Sequence, residues 1–186
     1  MFLANLLKFS FSTRNEFLYG GFRIRILFMK IMIGSDHHGI DSRLNLGRLV
    51  ASLGHEVLDF GPTSDNPQPV DYPEIAAPIA RAVSKGEVDR GILICGTGIG
   101  MSIVANKFPG VRAAPVVDVF SAELSRRHNN LNVLCLSGDM LTEATINDVV
   151  KVWLKTGFSE EARHVRRLNR ISEIESEQIL KNKGIC

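Results

Sequence analysis

Gly91-Ile92-Leu93-Ile94-Cys95 is apolar throughout, and Gly96-Thr97-Gly98-Ile99-Gly100 then turns the chain into a helical pattern that runs to about Asn106. An unbroken apolar run suits a strand buried on both faces, as in a parallel sheet. A glycine-rich turn between such a strand and a helix is the βα unit of an α/β fold. The same alternation repeats on both sides. Upstream, Ile31-Met32-Ile33 reads as a strand ending at Gly34. A helix fits Asp41 to Leu53, with Leu44, Leu46, Leu49, Val50 and Leu53 as its apolar positions and Gly54 as its stop. Glu56 to Phe60 is a second strand, and a Pro- and Asp-rich loop from Gly61 to Pro73 leads to a helix over Ile75 to Val83. Downstream, Arg112 to Val117 and Asn132 to Ser137 are strands. Ser121 to about His128 and Thr142 to Leu154 are helices. A last, more polar helix covers Arg163 to Leu180 and has the character of one that packs partly against another subunit. This order predicts a three-layer α/β/α sandwich with a five-stranded parallel, Rossmann-like sheet plus a C-terminal helix.

The length of 186 residues fits one domain. Hydrophobic residues at 45% are enough for a sizeable core, and a net charge of +2 is too small for a nucleic-acid footprint. No apolar run reaches the roughly 18 residues of a membrane span. Cys95, Cys135 and Cys186 are widely spaced and form no C-x-x-C pair, which points away from a disulfide framework or a zinc ribbon and toward a reducing, cytoplasmic setting. Residues 1–28 read differently: they hold six of the ten phenylalanines, with Lys8, Arg14, Arg23 and Arg25 against a single acid, Glu16. They are expected to be an N-terminal extension, disordered or outside the fold. Either they lie upstream of a natural start at Met29 or they form an organelle transit segment. Residues 29–186 are then one domain, its C-terminal helix starting at about 163.

In open parallel sheets ligands bind outside the carboxyl ends of the strands. Four loops occupy that place: Ser35-Asp36-His37-His38, Cys95-Gly96-Thr97-Gly98, Val117-Asp118 and Ser137-Gly138-Asp139. Glycines let backbone N–H groups turn toward a phosphate or an oxyanion, and a helix start adds unpaired donors. A thiol beside such a turn gains thiolate character. Cys95 is therefore a candidate base or nucleophile, or else a small core cysteine. The loop is not a dinucleotide fingerprint, because Met101 stands at the third glycine position, and no Gly-Lys-Ser/Thr marks a phosphate loop. Asp36 and His37 at a strand end suit acid–base work or anion binding, or form a capped polar turn. The adjacent histidines point apart and make no metal pair. Arg126-Arg127-His128-Asn129-Asn130 closes a helix before a strand, where basic groups also suit the helix dipole. Arg163 and Arg167 are four apart on one helical face, a phosphate clamp or a charged surface.

Taken in order, Gly34-Ser35-Asp36-His37, Asp71-Tyr72-Pro73, Gly91 to Gly100, Ala105-Asn106-Lys107, Val111-Arg112-Ala113, Ser125-Arg126-Arg127-His128-Asn129 and Arg163-His164 with Arg167 resemble the type B ribose-5-phosphate isomerase family and its galactose-6-phosphate isomerase relatives. The resemblance runs from Met29 to about Glu175. It implies a ribose 5-phosphate–ribulose 5-phosphate isomerase that needs no metal or other cofactor. Its site would be shared between subunits of a homodimer or homotetramer, with His128 coming from the neighbour. It implies Cys95 as the base that moves a proton between C1 and C2, because Ile99-Gly100 carries no acid for the Glu variant. It further implies His128 in ring opening, Asp36 as its partner, and Thr97 with the Gly96, Gly98, Ile99 and Gly100 backbone on the enediolate oxygens. His37, Arg163 and Arg167 match phosphate binders, with Arg112 beside them. Tyr72 and Asn129 match substrate contacts. The chain departs from the pattern at His38, where a small or apolar residue is expected, and at Asn130. The alternatives are a hexose 6-phosphate (allose or galactose) isomerase and a sugar-phosphate-binding protein without catalysis.

Overall fold

The computed structural model describes residues 15–19, 22–26, 28–63, 69–182 and 184. Two short strands, β1 (Asn15–Tyr19) and β2 (Phe22–Ile26), pair antiparallel, with Asn15 opposite Ile26 and Tyr19 opposite Phe22. They make a sheet of their own. The rest of the N-terminal extension, up to residue 27, and positions 64–68 of the proline-rich loop lie outside the described residues.

The main sheet contains β3 (Lys30–Ser35), β4 (Glu56–Phe60), β5 (Arg90–Cys95), β6 (Ala113–Pro115) and β7 (Val133–Ser137), all parallel, in the order β4-β3-β5-β7-β6. The helices are α1 (Ile40–Ser52), α2 (Tyr72–Ser84), α3 (Ile99–Ala105), α4 (Val119–Asn129), α5 (Glu143–Lys155) and α6 (Ala162–Asn182). The three-layer sandwich read from the sequence is therefore the observed one. β6 is shorter than the expected Arg112–Val117. It is an edge strand that ends at Pro115, which has no N–H to give to a ladder. The pairing revives once beyond it, where the Val116 N–H donates to the Cys135 carbonyl at 3.0 Å.

The strands are apolar on both faces because helices cover both. On β5, Ile92 and Ile94 join Leu46, Val50, Ile146, Val150 and Trp153 in the core under α1, α4 and α5. Leu93 and Cys95 point the other way, into the core under α2 and α3 with Ile75, Ile79 and Met101. This period-two split assigns Cys95 to the α2/α3 side of the sheet.

Trp153 is fully buried at the amino end of the sheet. The Arg90 guanidinium lies 4.9 Å from its ring centroid and donates to the Trp153 carbonyl at 2.9 Å. Arg126 approaches the same ring at 5.9 Å. The indole thus seats two buried cations as well as filling the core. Among the described residues no helix is long and apolar enough to cross a membrane. Trp153→Ala should lower unfolding stability by about 3–5 kcal/mol, as large aromatic truncations do. Urea denaturation followed by circular dichroism measures it, and a loss below about 1 kcal/mol would contradict the packing described.

Candidate active site

β5 lies at the centre of the sheet, with β3 and β7 as its neighbours. Parallel crossovers bring the turns that follow these three strands to one edge. Cys95 ends β5, and its side chain is 5% exposed. It lines a cavity of about 300 Å³ together with Asp36, His37, Tyr72, Thr97 and Gly100. The sulfur accepts the Gly98 N–H at 3.2 Å. Gly98 has φ +74°, and a β-carbon there would stand 3.1 Å from the Leu136 carbonyl oxygen. Only glycine turns its N–H onto the sulfur in this way. The β7 side pins the same turn: Gly138 N–H donates to the Cys95 carbonyl at 2.8 Å and the Ser137 hydroxyl donates to the Gly96 carbonyl at 2.5 Å. Cys135 lies on β7 in the same core, where burial pushes its thiol well up and keeps it protonated. Of the two cysteines, Cys95 is the one at the cavity.

Thr97 accepts the Ile99 N–H on its hydroxyl oxygen at 3.3 Å, which leaves the hydroxyl proton for a ligand. Tyr72 opens α2, and its ring packs flat on the start of α3. A β-carbon at Gly100 would lie 2.7 Å from the ring Cζ, so Gly100 is the floor on which Tyr72 rests. Asp36 is 5% exposed and caps a short 3-10 turn over His37–Gly39, its Oδ1 accepting the His38 N–H at 2.9 Å. Burial raises the Asp36 carboxyl above its ordinary value. That hydrogen bond and the charges of His37 and His38 oppose the rise, while Asp139 adds to it. The shift moves the group toward the range useful for proton exchange. Among the described residues no group of three or more His, Cys, Asp or Glu is placed to hold a metal.

The other expected site residues gather at the opposite edge. His128 and Asn129 end α4, Arg112 precedes β6, and Arg163 and Arg167 lie in the first two turns of α6. Since α4 runs back against the strands, its end lies by the start of β7. β5 spans six residues, so the two edges are roughly 16 Å apart at about 3.3 Å per residue. Within one chain, His128 and Cys95 therefore stand at opposite edges of the sheet. Arg112 donates its Nε to the Asn129 carbonyl at 3.0 Å and one terminal nitrogen to the Asn130 carbonyl at 2.9 Å, which ties down the end of α4. His128 stacks on His164, with centroids 4.3 Å apart and ring planes 9° from parallel. His164 is 2% exposed, and its Nε2 accepts from Arg163 Nε at 3.2 Å. The sequence reading gave no role to His164. Its position next to Arg163 was the available signal, but the stacking is a tertiary contact.

A family model described as Ribose/Galactose Isomerase matches residues 31–171. The chain is 42% identical over 146 residues to ribose-5-phosphate isomerase B of Escherichia coli, covering 78% of this chain and 96% of that protein. It is 38% identical over 132 residues to D-erythrulose-4-phosphate isomerase of Pectobacterium atrosepticum, covering 70% and 85%. Among solved structures it is similar to ribose-5-phosphate isomerase B of Mycoplasma genitalium with bound ribulose-5-phosphate. That match has a TM-score of 0.74 and 40% identity, and covers 80% of this chain and 97% of that one.

The stacked histidines carry a pH signature. Burial lowers the His164 pKa below 6.5; the charges of His128, Arg163 and Arg167 add to this, and Glu161 opposes it. The unfolded chain takes the proton at the ordinary value, while the native chain resists it until lower pH. The stability His164 contributes is therefore complete above pH 6.5 and is lost as pH falls through that value toward the folded one. Melting temperatures from pH 8 to pH 5 should fall on the acid side, and less steeply in His164→Asn. Identical slopes in the two proteins would refute the assignment.

Proposed function

The chain belongs to the ribose/galactose isomerase family, and from that premise we propose that it interconverts ribose 5-phosphate and ribulose 5-phosphate through an enediolate. One observation carries this reading: the Cys95 sulfur, held under the Gly98 N–H, lines a cavity with Asp36, His37, Tyr72 and Thr97. The thiolate takes the C2 proton of the open-chain aldose, and charge passes to O1 of the enediolate. The proton returns at C1 while the O2 proton moves to O1. A positioned base typically contributes about 10²–10⁴-fold, and a hydrogen bond to the developing oxyanion about 10²–10³-fold more. The Thr97 hydroxyl and the backbone N–H groups of Gly96 and Gly100 are the donors offered to that oxygen, with Ile99 acting through its N–H on the Thr97 hydroxyl. Gly98 is given to the sulfur instead.

Ring opening falls to His128 with Asp36, and phosphate binding to His37, Arg163 and Arg167, with Arg112 holding the Asn129 turn beside them. Tyr72 and Asn129 contact the sugar. These groups lie at opposite edges of one chain, so a working site takes Cys95 from one copy and His128 from another. α6 supports such pairing, since it leaves Val165, Ile171, Ile174 and Leu180 exposed along its length. The assembly is then a homodimer or homotetramer, in a cytoplasmic setting.

Cys95→Ser should abolish isomerisation while ribose 5-phosphate still binds by calorimetry; full turnover would reject Cys95 as the base. His128→Ala should lose far more with cyclic ribose 5-phosphate than with open-chain ribulose 5-phosphate. After subunit exchange, an equimolar mixture of the two variants should recover about a quarter of wild-type activity, because half of the pairs hold one intact site of two. No recovery would place the whole site within one chain.

A further inference from the structure

His38 lines the cavity and Asp139 stands behind it, and the reaction outlined above uses neither. His38 follows β3 and Asp139 follows β7, the two strands that flank β5. Their side chains meet across the glycine turn, with His38 Nδ1 3.1 Å from Asp139 Oδ1. His38 lines the cavity beside Asp36, Cys95 and Thr97, and, against the expectation that the adjacent histidines point apart, its ring leans on that of His37 at 4.5 Å because the 3-10 turn folds the two residues together. The side chains are 46% and 51% exposed, so as an ion pair they would contribute little to stability.

The backbone around the pair is nonetheless built to hold it. A β-carbon at Gly138 would lie 2.7 Å from the His38 carbonyl oxygen, and one at Gly96 would lie 2.8 Å from Asp139 Oδ2. The two loops therefore approach this closely because Gly138 has no side chain, and a side chain at Gly96 would displace the Asp139 carboxylate. The Asp139 N–H also donates to the Gly96 carbonyl at 3.3 Å, which fixes the carboxylate at the edge of the turn.

A carboxylate on Nδ1 orients the imidazole and, in its neutral form, favours the tautomer that carries the proton on Nδ1 and leaves Nε2 its lone pair. Among the described residues His38 Nε2 has no partner. We propose that His38 is a specificity-determining residue, its Nε2 accepting a hydroxyl of the sugar chain at the cavity mouth, with Asp139 as the positioning residue that holds that tautomer. This rests on the sugar-phosphate reading of the site and adds a chain-length filter to it. A pentose phosphate puts a hydroxyl against Nε2, and a longer sugar phosphate meets the imidazole as a wall. A site built around a hydroxyl discriminates by leaving its own polar group unpaired when the wrong ligand enters.

The test is kcat/KM for ribose 5-phosphate and allose 6-phosphate in wild type, His38→Ala, Asp139→Asn and Asp139→Ala. In His38→Ala the pentose value should fall about tenfold, as for one lost hydrogen bond. The hexose value should hold or rise, so the preference narrows by tenfold or more. Asp139→Asn keeps an acceptor for Nδ1–H and should retain most of the preference, whereas Asp139→Ala should lose it as His38→Ala does. A merely structural role would not give rescue by Asn. Equal losses on both sugars would make His38 a general phosphate contact and overturn the proposal, as would an unchanged ratio. Should wild type prefer the hexose, the pentose reading fails; the filter then fails as well only if His38→Ala leaves the ratio where it was. If neither sugar turns over, the same ratio is read from calorimetric dissociation constants, again with an unchanged ratio as the overturning result.

Discussion

The contact on which the site depends is between the Gly98 N–H and the Cys95 sulfur, 3.2 Å apart. It exists because the central strand of a parallel sheet delivers its last side chain to an edge where the chain must turn at once. The turn needs a left-handed residue, and the Leu136 carbonyl sits where a β-carbon would project. Once that geometry is set, the other groups follow from topology. β3 and β7 flank β5, so the loops carrying Asp36 and Ser137 meet around the thiol with no further instruction. The Tyr72 ring closes one side because α3 offers it a bare backbone at Gly100.

The same crossover rule divides the chemistry. Loops after strands collect at the carboxyl edge, and loops before strands collect at the amino edge. Asp36, Cys95 and Thr97 are of the first kind, and Arg112, His128 and Asn129 of the second. α6 then brings Arg163 and His164 to the second group. The amino-edge group is organised in its own right: Arg112 secures the end of α4, and His164 provides a flat, buried face for the His128 ring. An imidazole held that way has little freedom to rotate, as the ring-opening role proposed for His128 requires.

Most of the architecture was legible because burial on both faces leaves a continuous apolar run, and β5 is the plainest instance. The helix end at Gly54 was equally readable from its residue type. β6 was overread, since an edge strand ending in proline pairs for less of its length than its apolar pattern suggests. That the glycine turn and Asp36 lie together at one cavity was legible because their positions follow from strand ends alone. The pairing of His38 with Asp139 was not, because the partners are 101 residues apart and their meeting depends on which strands are neighbours. The stacking of His164 on His128 was hidden for the same reason. Arg112 could be placed near the anion-binding groups, but its four contacts to carbonyl oxygens needed coordinates.

If the proposed site is split between opposite rims of the sheet, dilution tests it directly. A twofold pairing that joins one rim to the other completes both centres in a single association event, and dissociation dismantles both together. Turnover would then obey mass action in the protein itself, collapsing below the dissociation constant of the pair.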